Sequence, residues 1–154
     1  MLKKPINGRK RSRLSIGIVL LGLFIFLLGV EPGWFRLDRS PVVGFVQISV
    51  FLLGLAIICI GGYIGFSIQW ADGERTISAD IGLRLIATGY VVAVVSGMAD
   101  IFGFGTQPFP RIPYFGPIQA TGVVFGEAVI AVGFLLMIPP RITPSQPLQL
   151  EPES

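Results

Sequence analysis

The side chain most able to do chemistry in this sequence is an acid, Glu127, which lies near the middle of a long apolar stretch. An acid at the centre of a bilayer costs about 2.5 to 3.5 kcal/mol on insertion scales, so such groups normally face a bundle interior or water. Tyr90, Thr88 and Ser49 carry hydroxyl groups that could accept a hydrogen bond from a protonated carboxyl. Two interpretations stay open: a protonated, structural Glu127, or a relay for protons or cations.

Two glutamines occupy matching places in a repeated stretch. Residues 39–61 (RSPVVGFVQISVFLLGLAIICIG) recur 72 positions later as residues 111–133 (RIPYFGPIQATGVVFGEAVIAVG), with eight of the 23 aligned positions identical. Gln47 aligns with Gln119, and paired amide side chains could line a polar pocket or a pore mouth. The candidate polar site comprises Glu127, Gln47, Gln119, Tyr90, Ser49 and Thr121.

Glycines follow each glutamine at intervals of seven residues. Seven residues are close to two helical turns, so each glutamine and the two glycines after it share one helix face. Glycine lets another backbone approach closely, and a glutamine at the end of the face can form a hydrogen bond to a neighbouring helix. The pattern predicts packing seams, either between the two repeats or between subunits. The candidate packing residues are Gly54, Gly61, Gly65, Gly122, Gly126 and Gly133.

The repeat predicts two helical hairpins of the same orientation, related by a pseudo-twofold axis along the membrane normal. At the offset of 72, however, the first helix of each hairpin shares only two identities with its counterpart. Convergence on common features of membrane helices therefore remains an alternative to duplication. Glu127 is the informative difference between the copies, because Leu55 stands at the equivalent position.

The elements that must position these residues are membrane-spanning helices. Of the 154 residues, 52% are hydrophobic and only 14% are charged, which is too apolar for a soluble domain of this size. A helix needs roughly 20 apolar residues to cross about 30 Å of hydrocarbon. Four stretches qualify, and they predict an all-α integral membrane domain over residues 14–138, with helices at 14–30, 41–68, 80–100 and 113–138.

Start signals support three of these helices. Ser40 precedes Pro41, a pair that suits a helix N-terminus, since proline lacks only an N–H that has no partner there. Pro113 repeats the signal for the fourth helix. Ser78 is the expected cap of the third helix, with Asp80 as the acid in its first turn.

Charge predicts the orientation of the helices. A basic arm at residues 1–13, for which we expect little fixed structure, precedes the first helix, and a Pro-rich polar tail covers 139–154. Arg75, Arg84 and Arg141 fall on the same side, against Arg36, Arg39 and Arg111 on the other. The positive-inside rule then places both termini in the cytoplasm. The arm residues expected to contact lipid headgroups are Lys3, Lys4, Arg9, Lys10, Arg11 and Arg13.

The composition removes many kinds of chemistry. The chain has no histidine and one cysteine, Cys59, within an apolar stretch, which excludes disulfide frameworks, thiolate metal clusters and imidazole-based triads. We therefore expect no enzyme, metal or cofactor, and no nucleic-acid partner, since no reading element accompanies the basic arm. A cleaved secretory signal at the first helix is an alternative, but VEPGWF offers no small-residue cleavage site.

The function expected from these features is that of a small multipass protein of the cell membrane. Its partners would be the lipid bilayer and either further copies of the chain or a larger membrane complex, packed through the glycine seams. The alternative is a transport element that conducts protons or cations through Glu127, Gln47 and Gln119. Near one membrane surface, Asp100 and Arg111 are expected to form an interfacial ion pair.

Overall fold

The computed structural model describes residues 8–35, 44–70, 75–104 and 115–139. Within these ranges every regular element is helical. Four α-helices, joined in part by a short 3-10 turn at Pro32–Phe35, are each long and apolar enough to cross a membrane. They are α1 (Gly8–Val30), α2 (Phe45–Gln69), α3 (Ile77–Gly97) and α4 (Pro117–Leu136).

The helix ends differ from the sequence prediction in ways that local chemistry explains. α1 begins at Gly8, so the second half of the basic arm is helical, and its cations stand exposed on the first turns. α4 begins at Pro117, four positions after the expected Pro113, which lies outside the described residues. Pro117 suits the start of a helix as Pro113 would, since proline at the first helical position loses no hydrogen bond.

The cap of α3 is also one step away from the prediction. Thr76, and not Ser78, precedes the helix, and its Oγ1 accepts a hydrogen bond from the Ala79 N–H at 3.3 Å. The Ser78 hydroxyl lies 2.9 Å from the Thr76 hydroxyl. Asp80 does lie in the first turn, where it forms an exposed ion pair with Arg84 at 2.9 Å. The Ser40–Pro41 start signal of α2 falls outside the described residues, and α2 begins after Gly44.

α1 and α2 form the first hairpin, in which their backbones come close together. A Cβ added to Gly22 would lie 3.0 Å from the Gly54 carbonyl oxygen, and one added to Gly61 would lie 2.9 Å from the Val19 nitrogen. At one end of this seam the Ser15 hydroxyl donates to the Gly61 carbonyl oxygen at 2.8 Å. Ser15, Gly22 and Gly29 are the buried residues of α1, so this helix is buried only along the line that faces α2.

α3 and α4 form the second hairpin in the same manner. A Cβ on Gly126 would lie 2.6 Å from the Gly89 carbonyl oxygen, and the reverse contact is equally short. Gly133 faces Gly82, with 2.7 Å between an added Cβ and the opposite carbonyl oxygen. Any side chain at these positions would push the two backbones apart.

The two hairpins meet because α2 crosses the second hairpin. Near the start of α2, Ile48 and Leu52 lie against Gly97 of α3. Near its end, Phe66 stacks on Phe134 of α4 with ring centroids 5.8 Å apart. α2 therefore contacts both α3 and α4, whereas α2 is the helix on which α1 packs closely within the described residues.

The bundle has two ends, which differ in the connections they carry. The hairpin-loop end carries the connections from α1 to α2 and from α3 to α4. The terminal end carries the start of α1, the end of α4 and the connection from α2 to α3. Trp70 marks the terminal end, where its indole N–H donates to the Met137 carbonyl oxygen at 3.1 Å.

Candidate functional site

Glu127 lies near the middle of α4, at the edge of the buried face of that helix. Val123, Gly126 and Ile130 around it are buried, while Glu127 itself is half-buried. It stands seven residues before Phe134 and hence on nearly the same side of the helix, the side that faces α2. Among the described residues no hydrogen bond or ion pair reaches its carboxyl group.

The hydroxyl groups expected to serve Glu127 are used elsewhere. The Tyr90 hydroxyl donates to the Leu52 carbonyl oxygen at 3.5 Å, across the contact between α3 and α2. Thr88 donates to the carbonyl oxygen four residues before it, at 2.8 Å. Ser49 does the same at 2.9 Å. Each of these bonds uses the hydroxyl proton, and the described residues show no hydrogen bond from the Glu127 carboxyl to any of the three oxygens.

Gln119 lies at the hairpin-loop end of α4 and is buried. Its side-chain Oε1 accepts a hydrogen bond from the Gly116 N–H at 2.9 Å, so the amide caps the first turn of its own helix. Gln119 also borders a cavity of about 330 Å³ between the ends of α3 and α4. Ser96 is a second polar residue of that cavity, and most of the remaining lining is apolar.

Gln47 occupies the equivalent place in α2 but has different surroundings. It is half-buried, and the lining of the described cavity does not include it. Thr121, the second-copy counterpart of Ser49, donates to the Pro117 carbonyl oxygen at 2.8 Å. The geometry therefore does not bring the candidate polar residues into one site. Gln119 stands at a helix start, Glu127 about two turns deeper, and Gln47 on another helix.

The predicted packing glycines all lie at close approaches, and these approaches are inside the hairpins. Gly54, Gly61 and Gly65 face α1, with Gly65 opposite the Ser15 hydroxyl. The expectation placed the seams between the repeats or between subunits. The other three, Gly122, Gly126 and Gly133, face α3, with Gly122 against Ser96.

The described cations gather at the terminal end of the bundle. All four of the described arm residues are exposed on the first turns of α1: Arg9, Lys10, Arg11 and Arg13. Arg75 lies 5.6 Å from the centroid of the Tyr63 ring and donates to the Tyr63 hydroxyl at 3.3 Å. Lys3 and Lys4 lie outside the described residues.

Asp100 was expected to pair with Arg111, which also lies outside the described residues. The Asp100 side chain is 7% exposed, and no described residue donates a hydrogen bond to its Oδ1. The described residues contain no group of three or more His, Cys, Asp or Glu side chains that could hold a metal ion.

The contacts between the hairpins were not anticipated from the sequence. Phe66, Trp70 and Phe134 join α2 to α4, and each looks in the sequence like an ordinary apolar or interfacial residue. The position of Phe134 relative to the repeat offers a signal, since Phe134 aligns with Gly62, and Gly62 lies directly against the Phe134 ring. Equivalent positions of a twofold repeat meet when they lie near its axis.

Comparison with known proteins gives no guide to function: no family of known proteins, no curated protein and no solved structure matches the chain.

Proposed function

We propose that the chain is a multipass protein of the cell membrane that acts as an interaction subunit, docking onto another membrane protein through the side of α4 that carries Glu127. Length supports the membrane part of this proposal. The four helices contain 23, 25, 21 and 20 residues, and at about 1.5 Å per residue each can cross a hydrocarbon core of about 30 Å.

Charge supports the proposed orientation, with both termini in the cytoplasm. Six exposed cations lie at or near the terminal end within the described residues: Arg9, Lys10, Arg11, Arg13, Arg75 and Arg84. Excess Lys and Arg mark the cytoplasmic side of membrane proteins. Trp70 at that end is amphipathic and suits the headgroup region, where one edge of the ring meets water.

The contacts within the two hairpins support duplication of a hairpin, provided that the first helices are aligned at a different offset from the second helices. α2 and α4 correspond at an offset of 72, because Gly54 and Gly126 occupy the same place in their hairpins. Their partners, Gly22 and Gly89, correspond at an offset of 67. The same offset of 67 relates further seam residues: Ser15 to Gly82, Val19 to Ile86 and Phe26 to Ala93.

The unpartnered carboxyl of Glu127 is the observation that carries the interaction proposal. An acid in the middle of a membrane helix is costly unless it is paired or wet. The Tyr90, Thr88 and Ser49 hydroxyl groups donate to backbone carbonyl oxygens, and within the described residues none of them pairs with Glu127. Because the glycine seams are filled by the hairpins themselves, the half-buried Glu127 at the edge of the buried face of α4 is the polar feature left to bind a partner.

Site-specific photo-crosslinking in native membranes tests this proposal. Val124 and Phe125 are both 62% exposed and adjacent in α4, but they point to different sides of the helix. A photo-reactive phenylalanine at position 124 should give one discrete protein adduct that disappears in the Glu127→Leu variant. The same group at position 125 is the control and should give lipid adducts alone. Lipid adducts alone at both positions would refute the interaction proposal.

Conduction of protons or cations is the second candidate function. The cavity beside Gln119 favours it, because it lies at the hairpin-loop end of the helix that bears Glu127. Eight residues, or about 12 Å along a helix, separate the two side chains. Proteoliposomes containing the native chain or Glu127→Gln distinguish the candidates. Flux above that of empty liposomes, abolished by Glu127→Gln, would support conduction, and background flux in both would exclude it.

A further inference from the structure

The contacts between the hairpins are unequal, which leaves one surface uncovered. α3 covers the first half of α2, since Gly97 lies against Leu52, and Tyr90 donates to the Leu52 carbonyl oxygen. Leu52 is consequently only 3% exposed. The equivalent pair, α1 with α4, is not closely packed within the described residues.

The residues that would form this contact are exposed. At the offset of 67 between α1 and α3, Leu23 and Val30 correspond to Tyr90 and Gly97. At the offset of 72 between α2 and α4, Val124 corresponds to Leu52. They are 42%, 49% and 62% exposed. We call these residues, with Ala120, the uncovered α1–α4 surface.

Glu127 lies at the margin of this surface. Val124 is three residues and Ala120 seven residues before Glu127, so all three share one side of α4. α2 contacts α3 at Leu52, and its Gly62 lies against Phe134 of α4, seven residues after Glu127, whereas Val124 remains exposed. An apolar surface alone would suit lipid, whereas an apolar surface with an unpaired acid suits a protein helix.

The acid restricts the partner further, because this chain does not offer a cation at that depth within its described helices. The α1 cations occupy its first turns, and Arg84 lies near the start of α3, where it pairs with Asp80. α2 and α4 contain no Lys or Arg. A second copy would therefore bring an apolar surface and another acid, and two acids at one site repel each other when ionised.

We propose that the uncovered α1–α4 surface binds a transmembrane helix of a different protein, one that carries a Lys or Arg near the bilayer centre and pairs with Glu127. This inference rests on the proposed interaction function and specifies the chemistry of the partner. Intramembrane charges are commonly paired with one another, since each charge relieves the cost of burying the other. The apolar residues of the surface would then pack against the rest of the partner helix.

Model helices in liposomes test the pairing. The native chain, labelled with a donor dye at the hairpin-loop end, is reconstituted with an acceptor-labelled Leu/Ala helix that carries one central Lys. Energy transfer should show binding about tenfold tighter than to the same helix with central Leu, and Glu127→Gln should remove the difference. The reversed pair, Glu127→Lys with a central Glu, should restore it. Equal binding of the Lys and Leu helices by the native chain would overturn the proposal.

Two further results separate this proposal from the interaction function on which it rests. Mixed donor- and acceptor-labelled copies of the chain should show no energy transfer that depends on Glu127. Transfer lost in Glu127→Leu would identify a second copy as the occupant and overturn the cationic partner. If the Lys helix is not preferred while the native-membrane adduct at position 124 persists, the interaction function stands and the partner chemistry is wrong.

Discussion

At the scale of single residues, the polar side chains of this protein mostly serve the backbone around them. Thr121, Thr88 and Ser49 each donate to a carbonyl four residues earlier, and Gln119 caps its own helix. A sequence shows that such a residue is polar but not whether its hydrogen bond is already made locally. Glu127 could be singled out from the sequence for that reason: a carboxyl group in mid-helix has no such local bond to make.

The Trp70 indole gives a prediction about the contact between the hairpins. Replacement by Phe keeps most of the ring but removes the donor to the Met137 carbonyl oxygen, leaving that acceptor with one fewer bond. We expect a loss of about 1 kcal/mol in the free energy of unfolding, measured by denaturant titration in lipid bicelles. Trp34→Phe is the matched control, because Trp34 is 73% exposed, and it should leave the stability unchanged. Equal stability of Trp70→Phe and the native chain would show that this bond contributes nothing.

At the scale of elements, the apolar length of four stretches predicted the four helices, but the glycine pattern predicted only part of their pairing. The positions of Gly54 and Gly126 predicted close approach, yet periodicity does not say which helix approaches. The seams lie within the hairpins although the shortest connection, residues 70–76, joins α2 to α3, so the length of the connections did not reveal the pairing either. The second hairpin has five more residues between Gly89 and Gly126 than the first has between Gly22 and Gly54, so the seam positions of α1 and α3 align at an offset of 67, where Gly22 and Gly89 are the one identical pair of residues 15–30 and 82–97.

Helix ends were predicted less well, because several residues near each end can cap. Thr76 and Ser78 are both hydroxyl residues, and only the path of the backbone makes Thr76 the cap of α3. Similarly, Pro113 and Pro117 are both acceptable first residues of a helix, and α4 begins at the second. The start of α1 at Gly8 shows that a strongly basic segment can continue a helix when an apolar span follows it.

The seam of the first hairpin yields a prediction with an internal control. Gly22 and Gly17 lie on the same helix, but an added Cβ at Gly22 would lie 2.7 Å from the Ile58 nitrogen, whereas one at Gly17 meets nothing within 4 Å. Gly22→Val should therefore force the backbones apart and lower the free energy of unfolding by about 1 to 3 kcal/mol or more. Gly17→Val should be nearly neutral. Thermal unfolding in detergent, followed by circular dichroism, measures both, and similar melting temperatures for the two variants would contradict this seam.

At the scale of the whole molecule, the arrangement is two similar hairpins held together by a single crossing helix. The contact of Gly62 with the Phe134 ring, between aligned positions of the repeat, is what a pseudo-twofold axis between α2 and α4 would produce. Val124 and Leu52 are equivalent positions of the repeat, yet Val124 is exposed and Leu52 is buried. A pseudo-twofold axis would not produce this difference. A sequence repeat can indicate equivalent helices, but it does not reveal which equivalent positions are covered, and Glu127 lies three residues after Val124, which is exposed.

Orientation gives the last prediction, which concerns the side of the membrane that each end of the bundle meets. Trp34 is 73% exposed at the hairpin-loop end and Ile77 is 82% exposed at the terminal end, so single cysteines at these places report opposite sides. In a Cys59→Ala background, a membrane-impermeant maleimide added to intact cells should label Trp34→Cys at once. Ile77→Cys should react only after the membrane is opened, because exposed cations such as those of α1 mark the cytoplasmic side of membrane proteins. Labelling of Ile77→Cys in intact cells would reverse the orientation while leaving the pairing of Glu127 possible, since an acid near mid-helix lies at a similar depth from either face.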